Sequence, residues 1–339
     1  MENARRIILE FMEKTRLADR FPTITVASAV EAKVRETFKS WELNITDETA
    51  EEYIIVGLEM CYAAYQHTPH AVQIAMALFS ICVAMLDDVV GTDIQSMREF
   101  VPSICRGKPQ LHPLLTHFVE CADMITQYLP NYTANMIHCG LMAYVNEELN
   151  VKDNGSQLVL KPDTSSYIEY SRYKSGVPEP YAASMWPRSI CPDVNEYIQA
   201  FPWVSSHHTV WEAWSNWIVP RDALRFVDGV KYVLSVLTPS IEVLTTTTVI
   251  NSDLMSYYKE LLDSDEATYV TRYAQLNGKT VEAAAGDLSE RLVSIIERIR
   301  NILGDGQARE AWEDFASGYV HFHIFCPRYR LKEVIPEYF

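Results

Sequence analysis

Positive charge is scarce in this chain. Lys and Arg total 29 against 45 Asp and Glu over 339 residues, a formal net charge of −16. Nucleic acid needs a basic surface, so it is not an expected partner. Cysteine is sparse too. The seven thiols are dispersed, without metal-ligand spacing. An odd, scattered set with no secretory leader in view predicts reduced thiols and a cytoplasmic protein. Long hydrophobic runs are also missing. The longest, Ala71 to Leu86, is interrupted by Gln73 and ends in two aspartates. It falls short of the ~20 residues of a spanning helix and reads instead as the central helix of a bundle. Glycine, at 12 residues, is too rare for a loop-rich or collagenous chain.

What is present is helical periodicity. Apolar spacing predicts helices at Glu52 to Gln66, Ala71 to Asp88, His112 to Leu129, Tyr132 to Glu148, Ser165 to Lys174, Val243 to Leu262 and Leu288 to Leu303. The wider segment Thr280 to Ile302 reads as amphipathic, with Glu290, Arg291, Glu297, Arg298 and Arg300 on exposed arcs. Prolines fall between these segments, as in Val177-Pro178-Glu179-Pro180 and Trp186-Pro187. The β-branched run TTTTVI, residues 245–250, leads directly into a helical motif and is read as part of it. No repeat or linker divides the chain, so residues 1–339 are expected to form one all-α domain.

Two acidic segments carry the chemistry. In an α-helix, positions i, i+4 and i+8 drift by only ~40° per step and form a ladder on one face. Ser252, Ser256 and Glu260 have this spacing, and Lys259 lies seven residues after Ser252. Hydroxyls, a carboxylate and an ammonium in a row suit a magnesium–phosphate face, because Mg²⁺ takes hard oxygen ligands and shares its shell with phosphate. The lysine would meet the phosphate as a point charge. A solvated helix face would carry the same residues. The second segment is Asp87-Asp88, closing the apolar run. The pair reads either as an exposed last turn or as a cation site. At a helix C-terminus the acids oppose the helix dipole, a cost that a bound cation relieves.

Five motifs in order add a resemblance. VAMLDD, RGKPQLHPLL, YIEYSRYKSGVPEPYAASMWP, SDLMSYYKE and GYVHFHIFCPRYRL resemble segments of the fungal trichodiene synthase family of class I terpene synthases. The match runs from roughly Val56 to Leu331. It implies a class I terpenoid synthase helical bundle around a central active-site cavity, and a lyase that ionises farnesyl diphosphate with Mg²⁺, releases pyrophosphate and cyclises the carbocation. Three Mg²⁺ ions are implied. Asp87 and Asp88 would hold metal at one rim, and Ser252, Ser256 and Glu260 at the other. Arg172, Lys259, Arg328 and Tyr329 would bind the diphosphate. Asp87, Glu260, Arg328 and Tyr329 would carry catalysis. Such a cavity must be apolar and dry, and aromatic faces can stabilise passing positive charge. By position Phe79, Tyr144, Trp186 and Phe322 are candidate lining, although each also reads as an ordinary core aromatic.

Three features depart from the family pattern. Gly91 sits where a third acid is often found, and Asp93 would face away from Asp87 on a continuous helix. Ser252 replaces the usual Asn. Asn251 is adjacent but, nine residues from Glu260, turns away from the ladder unless a π-bulge shifts the register, so the choice between Ser252 and Asn251 as metal ligand stays open. The third is an atypical insertion at about residues 188–242. It carries Trp203, Trp211, Trp214, Trp217 and His207-His208, and the tryptophan spacing predicts an extra amphipathic helix. That helix reads as a lid, a homodimer face or a site for a second, nucleophilic substrate. Two further readings therefore stand beside cyclisation. In one, the cation is captured by an added amine or water. In the other, the chain binds isoprenoid diphosphates without turning them over.

Overall fold

A computed structural model describes residues 2–88, 93–154, 165–175, 177–202, 204, 269–326 and 331–339. Among these residues there is no strand. The helices are α1 (Glu2–Thr15), α2 (Ser28–Lys39), α3 (Asp47–Ala64), α4 (His70–Asp88), α5 (Ile94–Arg106), α6 (Pro113–Thr126) and α7 (Asn131–Asn154). They continue with α8 (Ser165–Ser175), α9 (Pro178–Ser184), α10 (Tyr269–Leu276), α11 (Val281–Leu303) and α12 (Gln307–Phe325). No described helix is long and apolar enough to cross a membrane.

Local chemistry fixes several helix starts. Thr46 caps α3 by accepting the Thr49 N–H, and Thr280 caps α11 by accepting that of Ala283. The Nδ1 of His112 accepts the Leu114 N–H, and Pro113 follows at the first helical position of α6. Most of the sequence-read ends lie close to these, but α3 begins at Asp47 rather than Glu52, α11 begins at Val281, near the Thr280 start of the wider amphipathic segment rather than at Leu288, and α7 runs past Glu148 to Asn154. The helix expected at Val243 to Leu262 lies outside the described residues.

The centre of the bundle is α4. Its residues from Ala75 to Leu86 are buried without interruption, as an all-round apolar helix requires. It packs against α2, α3, α6 and α9. Close approach on two sides of α3 depends on glycine. A Cβ on Gly57 would lie 2.6 Å from the carbonyl oxygen of Ala77 in α4. A Cβ on Gly318 in α12 would lie 1.8 Å from the carbonyl oxygen of Ala63. The backbones of α4, α3 and α12 therefore approach closely at these crossings, with the Ile81 side chain of α4 also against Gly57.

The amphipathic reading of α11 needs one correction. Arg300 is not on an exposed arc. Its guanidinium donates to both carboxylate oxygens of Glu313, at 2.8 and 3.0 Å, and Arg309 adds a bond of 2.8 Å. Burial pushes the Glu313 carboxyl up, but the two arginines outweigh it and hold the group below the usual carboxylate range. A charge on α11 is thus drawn inward by a buried acid on α12.

Candidate active site

The acidic doublet ends α4, and the helix stops there. Asp93 does not continue it. Instead Asp93 caps α5, accepting the Ser96 N–H at 3.1 Å and its hydroxyl at 2.5 Å. Those bonds, the hydroxyl's being the larger, hold its carboxyl below the usual range. The geometric premise for setting Asp93 aside, a continuous helix, is replaced by a different reason: its carboxylate is already engaged.

One turn before Asp87, the Tyr144 hydroxyl from α7 donates to the Val83 carbonyl at 3.3 Å. In an α-helix that carbonyl also serves the N–H of residue 87. Tyr144 therefore braces the backbone turn that carries the doublet. The rest of α7 faces a second candidate segment. At its C-terminal half, Glu147 is only 6% exposed and accepts bonds from the Ser171 hydroxyl of α8 (2.5 Å) and from Asn150 (3.2 Å). Farther along the chain, Glu179 of α9 accepts the Tyr173 hydroxyl at 2.6 Å. Burial pushes both carboxyls up, and the hydroxyl bonds only partly offset it. Gly140 lets α9 approach α7: a Cβ there would lie 2.7 Å from Pro180 Cδ and 3.2 Å from Glu179 Oε2.

Between α8 and α9 the chain reverses at Val177, which is fully buried with φ 43° and ψ 44°. A β-branched residue in the left-handed region is strained, and packing must hold it there. Pro178 then starts α9 with its φ already helical.

The aromatic candidates sit deep in the packing. Phe79 meets Phe118 and Tyr181 at ring separations of 5.0 and 5.8 Å, and Phe118 meets Tyr144 at 6.0 Å. Trp186 stacks on Tyr197 at 4.4 Å and donates its N–H to Ala308 in the first turn of α12. Helical rise puts that turn roughly 27 Å from Cys326 at the other end of α12. Phe322 lies on the last turns of α12, near Tyr319 and His323.

The helices carrying the other candidates are only partly described. Asp87 and Asp88 lie on the last turn of α4 and Arg172 within α8, but their side chains are outside the described set. Asn251, Ser252, Ser256, Lys259, Glu260, Arg328 and Tyr329 lie outside the described residues, as do Gly91, TTTTVI and residues 205–242 of the insertion. The described part of the 188–242 stretch holds one 3₁₀ turn at Val194–Glu196, and Phe201, Pro202 and Val204 are helical. Among the described residues no group of three or more His, Cys, Asp or Glu is placed to hold a metal ion. What the fold brings together is helices: α7 touches the α4 turn that ends in Asp87 and, one turn later, the α8 segment around Arg172.

Sequence reasoning missed Glu147, Glu179, Ser171 and Tyr173. The last two lie in the quoted motif YIEYSRYKSG, flanking Arg172. A fifth missed group is Glu59 of α3, whose carboxyl is raised by burial and accepts a bond from Cys326. Its partner ends α12, two residues before Arg328.

Comparison with known proteins agrees with this architecture. The family model for trichodiene synthase (TRI5) matches residues 209–338, so the match begins inside the 188–242 stretch. The chain is similar to monoterpene synthase 25 of Postia placenta, 28% identical over 331 residues that cover 97% of this chain and 86% of that one. It is 22% identical to the alpha-cuprenene synthase of Coprinopsis cinerea, over 84% of this chain and 74% of that one. In structure it resembles the linalool/nerolidol synthase of Streptomyces clavuligerus, with a TM-score of 0.57 and 12% identity, covering 87% of this chain and 95% of that one. The chain thus resembles the trichodiene synthase family and has the helical fold of class I terpene synthases.

Proposed function

We propose that this chain is a class I terpene synthase that ionises farnesyl diphosphate, releases pyrophosphate and cyclises the resulting carbocation. The observation that carries the reading is α4, a helix buried without interruption from Ala75 to Leu86 that ends in Asp87-Asp88. Two carboxylates at the negative end of a buried helix dipole are costly, and a divalent cation offsets that cost. The donor set suits a hard cation: carboxylates at 87, 88 and 260 and hydroxyls at 252 and 256. Mg²⁺ bound there would supply charge stabilisation for the departing diphosphate.

The chain's own residues do the rest. Arg172, Lys259, Arg328 and Tyr329 bind and orient the diphosphate, so that the C–O bond breaks with its electron pair going to a neutralised leaving group. The apolar helices exclude water, which would otherwise capture the allylic cation before the ring closes. Two points favour a second substrate length. The first relative described above is named a monoterpene synthase. The recognised group, the diphosphate, is also common to both lengths. Geranyl diphosphate therefore belongs in the same assay.

The test is incubation of the purified chain with Mg²⁺ and either diphosphate, following pyrophosphate release together with volatile products by gas chromatography–mass spectrometry. Metal-dependent release with a cyclic C15 product is the expected result. A cyclic C10 product from geranyl diphosphate alone would reassign the substrate. Linear alcohols only would favour capture by a nucleophile, and no release from either substrate would overturn the enzymatic reading.

A further inference from the structure

Helix α8 is attached to the bundle in an unusual way. Of its residues, Tyr167, Ser171 and Tyr173 reach polar partners in neighbouring helices: Tyr167 meets Asn150 at 3.4 Å, Ser171 meets Glu147 and Tyr173 meets Glu179. The acceptors come from two different elements, Glu147 from α7 and Glu179 from α9. Glu147 is buried and Glu179 is half-buried, and each accepts a short hydroxyl bond from α8. Isolated buried acids of this kind are expensive, so their partners are where that cost is offset.

The register matters more than the bonds themselves. Positions 171 and 173 are about 200° apart around a helix axis, so they lie on nearly opposite sides. One is tied to α7 and the other to α9. A helix held on one side can still roll; a helix held on both cannot. The residue between the two ties is Arg172, the position assigned above to diphosphate binding.

We infer that Glu147 and Glu179 are positioning residues: through Ser171 and Tyr173 they fix the rotation of α8 and thereby the placement of the backbone at position 172. This inference rests on the proposed function, which supplies the role of Arg172. The pairings themselves come from geometry. A purely structural role would stabilise α8 without caring what sits at 172. A positioning role acts only through that residue.

A double-mutant cycle separates these. The probe is inorganic pyrophosphate with Mg²⁺, its affinity measured by titration calorimetry on the full-length protein, with pyrophosphate release from prenyl diphosphate as a second readout. Ser171→Ala combined with Tyr173→Phe removes both ties without changing charge. Misaiming a charge-assisted contact should weaken pyrophosphate binding roughly tenfold. In an Arg172→Ala background the same pair of changes should have no further effect, because interacting residues are non-additive. Glu147→Gln, which still accepts the Ser171 hydroxyl, should retain wild-type binding where Glu147→Ala loses it. If Glu147→Ala fails to fold, the hydroxyl variants carry the test. Equal losses with and without Arg172, or unchanged binding in the Ser171/Tyr173 variant, would overturn the inference while leaving the enzymatic reading intact. A wild-type protein that turns over prenyl diphosphate but is unaffected by Arg172→Ala would overturn the assignment of Arg172, and this inference with it. A wild-type protein that neither binds pyrophosphate nor releases it would overturn both.

Discussion

The hydroxyl of Tyr144 lies 3.3 Å from the carbonyl oxygen of Val83, and this one bond ties α7 to the turn of α4 that ends in Asp87. Tyr144→Phe keeps the ring in its contact with Phe118 and deletes the bond. A neutral hydrogen bond of this kind contributes ~1 kcal/mol net. Denaturant unfolding should show a loss of about that size, and kcat/KM should fall a few-fold because the turn leading to the proposed metal-binding doublet loosens. An unchanged midpoint and unchanged kinetics would show that the bond does neither.

Asp87→Ala and Glu260→Ala each remove a proposed charged metal ligand. Loss of one transition-state charge contact commonly costs at least about a hundredfold in turnover. Each variant should show that loss in a pyrophosphate-release assay at saturating Mg²⁺. Near-normal kinetics in both would refute the assignment.

Packing gives a prediction independent of chemistry. Gly318→Ala would drive a methyl group to 1.8 Å from the Ala63 carbonyl oxygen, which belongs to backbone and cannot swing aside. Helices α3 and α12 would have to separate, at a cost of about 3 kcal/mol or more. A thermal melt followed by circular dichroism reads this directly, and a wild-type midpoint would mean the two backbones are further apart than described.

The pH dependence has a definite sign. Desolvation raises the Glu179 carboxyl in the folded state above its ordinary 4.5, against the lowering effect of the Tyr173 bond. The folded protein therefore holds the proton longer than the unfolded chain. Below about pH 4.5 both states are protonated and the group costs nothing. As pH rises from there through the raised folded value, stability falls. Glu179→Gln retains an acceptor for Tyr173 and cannot ionise, so its melting temperature should gain on wild type between pH 4.5 and 8. A constant gap across that range would contradict the shift.

How much of this was legible in the sequence depends on where each signal resides. Helix α4 is visible because its apolar residues are contiguous, and burial on every side follows from composition. By contrast, α12 is not among the segments that apolar spacing singles out. Its inward face carries Glu313, Ser317 and His323, all buried and all paired: Glu313 with Arg300 and Arg309, Ser317 with the Leu17 carbonyl, His323 with the Tyr319 carbonyl. Polar residues that find partners inside erase the periodicity on which the reading relies. Pro102 within α5 hides that helix for a similar reason. At the site, the motif residues could be numbered from resemblance, and Glu179 lies inside one of those motifs, but nothing in the sequence marks it or Glu147 as an acceptor. A glutamate becomes a buried acceptor only when a helix 24 residues away in sequence turns a serine toward it, and no local pattern encodes that.

The two glycine crossings of α3 have a mechanical consequence. At both crossings a backbone carbonyl lies where a glycine's side chain would begin, so the helix ending in the aspartate pair and the helix capped by Cys326 are gauged against α3 like the fixed arm of a calliper. A displacement of either helix is passed through α3 to the other.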